Sequence, residues 1–214
     1  MPVIDFRISA ILIGYAIGLI QTAYIVGRLK GIDIRKHGSG GAGATNVNRV
    51  LGAKAGIFVF LVDILKGISA FIIPALIWSG GGTFLGYDFV LPGMYGAIGC
   101  VLGHSFPFYL NFKGGKGMAV TVGLMIAIDI RMFLIAAAVG ISLIAVTKYI
   151  SAASLTLAAM MPVVLHFLGY SSEEVLVSLV ISALVWYLHR ENIMRLLKGK
   201  ENKFSFKKNK EHNV

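Results

Sequence analysis

The sequence predicts an all-α, polytopic integral membrane protein. Of its 214 residues, 57% are hydrophobic and only 14% are charged, and the mean hydropathy is +0.79. Soluble domains contain roughly 45–50% apolar and about 25% charged residues, so this composition is typical of the membrane class. Several apolar runs also approach the roughly 20 residues that one helix needs to cross a bilayer.

The apolar runs predict seven transmembrane helices. The first begins after Asp5 and Arg7 and extends to Val26, which is longer than the roughly 7–15-residue core of a signal peptide. One helix over residues 118–147 would be roughly 45 Å long, more than the hydrocarbon thickness of about 30 Å. We therefore expect two helices that turn at "IDIR", residues 128–131. The remaining spans are predicted at 55–78, at 91–102 with a continuation into the next loop, at 152–168 and at 175–187.

The distribution of lysine and arginine predicts the orientation. With seven spans, the basic loops and the basic end of the chain fall on one side, whereas "SGGGTFLGYD" and "GYSSEE" on the other side contain no lysine or arginine. Because basic loops stay in the cytoplasm, the N-terminus is predicted outside and the C-terminus inside. Residues 1–204 are predicted to form a single membrane domain, and 205–214 a basic cytoplasmic tail. The net charge of +10 then reflects membrane lipid headgroups, and no nucleic acid partner is predicted.

The first unusual segment is "HGSGGAGATNVNR", residues 37–49. Its glycines allow the backbone to turn and expose amides, and a helix beginning near Thr45 would direct its N-terminus to the same place. Ser39 and Asn46 add neutral polar groups, and Arg49 supplies a planar fork suited to phosphate. The alternative is a flexible loop with a surface arginine.

The second segment is "GHSFPFYLNFKGGKG", residues 103–117, which resembles a nucleotide-binding P-loop only in composition. The P-loop pattern requires glycine where Leu110 stands and a serine or threonine after Lys116. Its backbone amides and single cation would still suit a phosphate monoester or an acyl phosphate. A basic anchor for the next span is the alternative, and His104 is either a ligand-facing or an interfacial histidine. The candidate anion-binding residues are Gly114, Gly115, Lys116 and Gly117.

The third segment is "HRENIMRLLKGKE", residues 189–201. His189 and Asn192 are three residues apart and share a helix face, whereas Glu191 and Arg195 are spaced to form an ion pair. A solvated helix end would give the same pattern.

The other polar residues are interpreted as structural, and they predict neither a disulfide nor a metal site. Asp63 and Lys66 lie inside the second span, so they are expected to pair with each other or with a loop. The single cysteine, Cys100, excludes an intramolecular disulfide. Histidines and carboxylates lack metal-ligand spacing, so neither a metal nor another cofactor is predicted.

Taken together, the three segments resemble the bacterial membrane family of acyl-phosphate:glycerol-3-phosphate acyltransferases, the PlsY type. The similar motifs are "SGGAGATNVNR", "GHSFPFYLNFKGGKG" and "HRENIMRLLKGKE", with "DILKG" at residues 63–67, in the family's order and spacing as far as about Phe204. One departure is Gly41, which stands where the family usually has asparagine.

The resemblance implies transfer of a fatty acyl group from acyl phosphate to the 1-hydroxyl of sn-glycerol 3-phosphate. The products would be lysophosphatidic acid and phosphate, in the first acylation of phospholipid synthesis at the cytoplasmic face of a bacterial inner membrane. The alternatives are a small anion or phosphate transporter and a membrane scaffold without chemistry.

The resemblance also implies roles for individual residues. Arg49 and Ser39 would hold glycerol phosphate, Lys116 and the glycine amides of 114–117 would hold acyl phosphate, and His189 and Asn192 would orient or deprotonate the hydroxyl. No H-x-x-x-x-D or G-x-S-x-G motif occurs, so direct attack without an acyl-enzyme is the simplest mechanism. The implied catalytic residues are Ser39, His189 and Asn192, and the implied phosphate-binding residues are Ser39, Thr45, Asn46, Arg49, His104, Gly114, Gly115, Lys116 and Gly117.

Overall fold

The computed structural model describes residues 3–78 and 87–205, which are helical and contain no β-strand. The predicted outer loop falls largely outside these residues, as does the tail after Ser205. The described helices are α1 (Val3–Gly18), α2 (Thr22–Leu29), α3 (Ala44–Leu51), α4 (Ala53–Trp78), α5 (Tyr87–Ser105), α6 (Met118–Ile128), α7 (Ile130–Thr147), α8 (Ile150–Phe167), α9 (Ser172–Leu188) and α10 (Arg190–Leu197).

Most of the long helices have the length and apolarity of membrane spans. Within the described residues, five segments qualify: Phe6–Leu29, Ala53–Trp78, Phe89–Leu110, Ile130–Thr147 and Ile150–Phe167. A sixth is the pair α9 and α10, which is bent by 60°, and α6 is a shorter apolar helix. Large apolar side chains cover the outside of the bundle; Val146 and Phe167, for example, are 83% and 82% exposed. An apolar exterior of this kind is expected of an integral membrane protein.

Two breaks divide the apolar runs. The predicted turn at "IDIR" is confirmed, because α6 ends at Ile128 and α7 begins at Ile130, where the Asp129 carboxylate caps α7 by accepting from the Arg131 amide at 2.8 Å. The first run is also divided, between α1 and α2, which the sequence did not predict. There the buried Gln21 amide donates to the carbonyls of Gly18 and Gly103 at 3.2 Å each.

Glycines bring the helix backbones into direct contact. A Cβ atom at Gly14 of α1 would overlap the carbonyl oxygen of Gly96 in α5, and one at Gly103 would overlap that of Tyr15. In the same way, Gly67 of α4 faces the Val120 carbonyl of α6. Small residues at such crossings are typical of membrane helix packing. These contacts fix the end of α5 and the start of α6, from which part of the site is built.

Candidate active site

One cavity of about 170 Å³ joins the three motifs identified in the sequence. It lies between the start of α3, the segment before α6, the start of α8 and the α9–α10 bend. Of the predicted site residues, Gly114 does not line it. Those that do are Ser39, Thr45, Asn46, Arg49, His104, Gly115, Lys116, Gly117, His189 and Asn192.

Asn46 organises the first loop from within. Its Nδ2 donates to the carbonyls of Ile34, His37 and Gly41 at 3.0 Å each, and its Oδ1 accepts from the Ser39 amide and hydroxyl at 2.8 and 3.1 Å. The side chain is 3% exposed. Because both ends of the amide are occupied, the predicted direct contact of Asn46 with phosphate is not supported; the residue shapes the loop that presents Ser39.

The shape of this loop also requires a glycine beside Asn46. Gly38 has φ +61°, in the left-handed region where other residues are strained. A Cβ atom there would also overlap Asn46 Oδ1. Gly41, in contrast, has open space around it, since a Cβ atom would meet only the Ser39 hydroxyl at 4.0 Å.

Arg49 extends from α3 towards the cavity. Its Nη1 is buried and has no hydrogen-bond partner among the described residues. Burial lowers the pKa of Arg49 from its usual value, with a further contribution from the Arg195 charge. Burying a guanidinium with an unused donor costs free energy unless an anion accepts a hydrogen bond from it. This side chain is therefore suited to hold a phosphate.

The second loop differs from the prediction in its glycine amides. The Gly114 amide donates to the Ser105 carbonyl at 3.1 Å, and the Gly115 amide donates to that of His104 at 3.0 Å. These two amides therefore complete the end of α5 and are not available to a phosphate. Gly117, with φ +75°, precedes α6 at its N-cap position, and the helix begins at Met118 as expected.

Lys116 carries the positive charge of this loop. Its Nζ donates to Asn192 Oδ1 in the third motif. Burial lowers the pKa of Lys116, and the Arg195 charge lowers it further. An anion in the cavity would offset both effects.

The His104 side chain is buried at the end of α5, with 4% exposure. Its Nδ1 lies 3.2 Å from Lys66 Nζ. The Nε2 edge lies against Gly115, where a Cβ atom would overlap it. This histidine faces the cavity, as one of the two sequence interpretations proposed.

The α9–α10 bend supplies an imidazole. His189 Nδ1 lies 2.8 Å from the Val185 carbonyl oxygen. Since a carbonyl only accepts, Nδ1 carries a proton, and in the neutral imidazole Nε2 keeps its lone pair. His189 can therefore orient a hydroxyl or take its proton.

A network that the sequence did not predict holds the third motif in place. Glu201 accepts from Asn192 Nδ2 at 2.8 Å and from Arg195 Nε at 2.9 Å. The expected Arg195–Glu191 pair is present but longer, at 3.9 Å. The motif contained both partners of Glu201, but only the fold brings the segment after α10 back across the cavity.

Two serines of α8 also line the cavity and were missed. Ser154 Oγ donates to the Ile150 carbonyl at 2.9 Å, whereas Ser151 Oγ is buried without a partner among the described residues. They are three residues apart at the start of an apolar helix, and this spacing was the only available signal in the sequence.

The geometry joins cations, hydroxyls and a neutral imidazole beside apolar helices. A model of the family described as glycerol-3-phosphate acyltransferase matches residues 8–199. The chain belongs to the glycerol-3-phosphate acyltransferase family. It is therefore an acyltransferase enzyme of phospholipid biosynthesis, as its motifs indicated.

Relatives and solved structures of this acyltransferase family agree along almost the whole chain. The glycerol-3-phosphate acyltransferase of Clostridioides difficile is 40% identical over 209 residues, covering 97% of this chain and 100% of that protein. The one from Thermoanaerobacter sp. strain X514 is 39% identical, covering 94% and 98%. A crystal structure of PlsY, an integral membrane glycerol 3-phosphate acyltransferase in its glycerol 3-phosphate form, has a TM-score of 0.81 at 36% identity, covering 93% of this chain and 96% of PlsY. The lysophosphatidic acid form of PlsY gives 0.79, covering 94% and 96%.

Proposed function

We propose that this acyltransferase transfers a fatty acyl group from acyl phosphate to the 1-hydroxyl of sn-glycerol 3-phosphate. The products are lysophosphatidic acid and inorganic phosphate. One observation carries the proposal: Arg49, Lys116 and His189, from three distant parts of the chain, line the same cavity. The reaction needs such a site, because both reactants carry phosphate and one of them must present a hydroxyl.

Glycerol 3-phosphate is bound by the first loop. The unused donor of Arg49 bonds to the phosphate of glycerol 3-phosphate. Ser39, which Asn46 holds in place, and Thr45 each add a hydroxyl. The planar fork of arginine matches two phosphate oxygens at once. Asn46 acts here by fixing the loop.

Acyl phosphate is bound by the second loop and by α8. Lys116 supplies the charge, His104 lies beside it, and the buried hydroxyl of Ser151 gains a partner when an oxygen occupies the cavity. The amides of Lys116 and Gly117 remain as donors, since those of Gly114 and Gly115 are used within the fold. The acyl chain leaves the cavity past the apolar lining residues Phe60, Met118, Ile150 and Phe204.

Chemistry then proceeds by direct attack. His189 Nε2 accepts the hydrogen of the 1-hydroxyl, and the hydroxyl oxygen forms a bond to the acyl carbonyl carbon. The bond between that carbon and the phosphate oxygen breaks, phosphate departs with the electron pair, and the proton passes to His189 or to the phosphate itself. Acyl phosphate is a mixed anhydride, so orientation and stabilisation of the departing charge are the main contributions of the protein.

The membrane arrangement follows from the same distribution of charge. We propose seven spans, with α6 as the short seventh beside the six segments that are long enough, including the bent pair. The N-terminus lies outside, and the cavity and C-terminus lie at the cytoplasmic face of a bacterial inner membrane. The basic loops around the cavity support this orientation, and the bacterial sources of the relatives support a bacterial membrane.

The test is an assay of the purified full chain in detergent with palmitoyl phosphate and glycerol 3-phosphate. We expect lysophosphatidic acid and free phosphate in equal amounts. Release of phosphate without the lipid product would mean hydrolysis and would contradict the proposal. Activity with palmitoyl-coenzyme A at the same rate would contradict the proposed donor.

A further inference from the structure

We propose that Asp63 and Lys66, an ion pair inside α4, act as positioning residues that hold His104 in one neutral tautomer, with Nε2–H directed at the phosphate of acyl phosphate. This inference rests on the proposed function. It assigns a role to two buried charges that the mechanism above leaves unused.

The pair is unusually well enclosed. Lys66 and Asp63 have side-chain exposures of 4% and 1%, and Lys66 Nζ lies 2.9 Å from Asp63 Oδ1. The same Oδ1 accepts from the Thr22 hydroxyl at 3.0 Å. Two buried charges cost free energy even when they are paired, so packing alone does not account for their presence in a membrane helix.

Lys66 uses its three N–H groups on three partners. Besides Asp63, its Nζ donates to the Ile20 carbonyl at 2.5 Å and lies 3.2 Å from His104 Nδ1. An ammonium only donates. Nδ1 of His104 must therefore accept, and the ring proton is placed on Nε2.

The Nε2–H group then faces the substrate site. It lies against Gly115, which lines the cavity next to Lys116, and among the described residues it has no hydrogen-bond partner. The backbone of His104 is held as well, since its carbonyl accepts from Gln21 Nε2 at 3.1 Å and from the Gly115 amide. A fixed neutral donor at this position would stabilise the phosphate as it departs.

The proposal predicts how amide substitutions at His104 differ. A glutamine places its amide nitrogen near the position of Nε2, whereas an asparagine is too short and reaches only the Nδ1 position. We expect His104→Gln to retain most of kcat/KM for palmitoyl phosphate and His104→Asn to lose about tenfold or more, as for one lost hydrogen bond to a charged group. The KM for glycerol 3-phosphate should be unchanged in both. Equal losses in the two variants, or a loss confined to glycerol 3-phosphate, would overturn the proposal.

A double-mutant cycle tests the action of the ion pair through His104. Asp63→Asn and Lys66→Met are made together, so that no unpaired charge is left in the span. In the natural background we expect the pair of changes to lower kcat/KM for palmitoyl phosphate by about the same factor as His104→Ala. In the His104→Ala background the same pair should have little further effect. Losses that multiply would mean that the ion pair acts independently of His104 and would overturn the proposal.

A measurement on the natural protein tests the proposal even if the variants fail to fold. The chain labelled with ¹⁵N-histidine is studied by NMR in lipid nanodiscs, and the His104 resonances are assigned by their loss in His104→Gln. We expect a proton on Nε2 and none on Nδ1; a proton on Nδ1 would overturn the proposal. If the unchanged protein makes no lysophosphatidic acid, the proposed function fails instead, and the tautomer is still measured independently.

Discussion

Two clusters of charge lie at opposite ends of α9 and differ in how completely their hydrogen bonds are made. Near the starts of α1 and α9 and in the middle of α5, Arg7 donates to Glu173 at 2.9 Å and to the Tyr95 hydroxyl at 3.1 Å, and Tyr95 also donates to Glu173 at 2.9 Å. Glu173 and His189 are separated along α9 by roughly 24 Å at 1.5 Å per residue. The charges of Arg7 and Glu173 offset each other, and the Arg7 cluster holds three helices together.

The cluster around the cavity is not satisfied by itself. Arg49 has an unused buried donor, and Lys116 and Arg195 lie close enough that the charge of Arg195 lowers the pKa of Lys116. The difference teaches that a charged side chain in a membrane protein indicates a binding site when the neighbouring groups leave some of its hydrogen bonds unmade. Changes at the cavity should therefore alter catalysis, and changes in the Arg7 cluster should alter only stability.

The largest effect is expected at His189. His189→Ala removes the group that orients the attacking hydroxyl, and we expect kcat to fall about 10²–10⁴-fold, the usual contribution of a positioned acid or base. His189→Gln distinguishes the two possible roles, since its amide oxygen accepts a hydrogen bond but does not take the proton. Initial rates with both substrates saturating measure the effect. Turnover within a few-fold of the natural protein in His189→Ala would remove this residue from the mechanism.

A smaller but still large loss is expected for Arg49→Lys, which keeps the charge and removes the fork. A hydrogen bond to a charged group contributes about 1.5–3 kcal/mol, so kcat/KM for glycerol 3-phosphate should fall roughly 10–150-fold. The matched control is Arg7→Lys in the satisfied cluster, for which we expect unchanged kinetics. Equal effects of the two substitutions would contradict the distinction between the clusters.

Much of this contrast could be predicted from the sequence, because local patterns determine local structure. The helix start at Met118 and the break at Asp129 followed from glycine, charge and the limiting length of a span. The convergence of Arg49, Lys116 and His189 followed from their positions at span ends. What failed was the assignment of partners. The amides of Gly114 and Gly115 bond to the end of α5, and Asn46 bonds within its own loop. Most of these partners lie in the same motifs, but a motif does not specify which of its groups bond to each other. The partners of Glu201 were missed for the same reason, whereas Ser151 lies outside the three motifs.

The pH dependence of kcat/KM tests the charge of Lys116. Burial and the Arg195 charge lower its pKa below the ordinary lysine value, so its cation is present at low pH and is lost on raising the pH sooner than for a solvated lysine. We expect kcat/KM for palmitoyl phosphate to decline on the alkaline side, below the usual lysine pKa of about 10.4. In Lys116→Arg this decline should move to higher pH, whatever the absolute rate. An alkaline decline at the same pH in both proteins would assign it to another group.

A modest gain is expected for Gly41→Asn. The position opens into the cavity, with only the Ser39 hydroxyl near a Cβ atom, at 4.0 Å, and an added amide could donate to the bound phosphate. One such hydrogen bond contributes about 0.5–1.5 kcal/mol, so the KM for glycerol 3-phosphate should fall about two- to tenfold. Gly41→Ala is the control, since it fills the same space without a donor. A higher KM in Gly41→Asn alone would mean that the amide obstructs the substrate.

The smallest effect on catalysis is expected for Cys100→Ala. The thiol is fully buried in α5, where its Sγ lies 3.8 Å from the Lys66 carbonyl oxygen, and it does not line the cavity. Direct transfer requires no thiol nucleophile, so kcat/KM should stay close to that of the natural protein. Loss of packing should cost about 1 kcal/mol, or roughly 2–4 °C in Tm for a chain of this size. Labelled palmitoyl phosphate should leave no acyl group on the natural protein after denaturation. An acyl group found on any side chain would replace the direct attack by a two-step mechanism, and the incomplete cluster around the cavity would then have to stabilise two transition states instead of one.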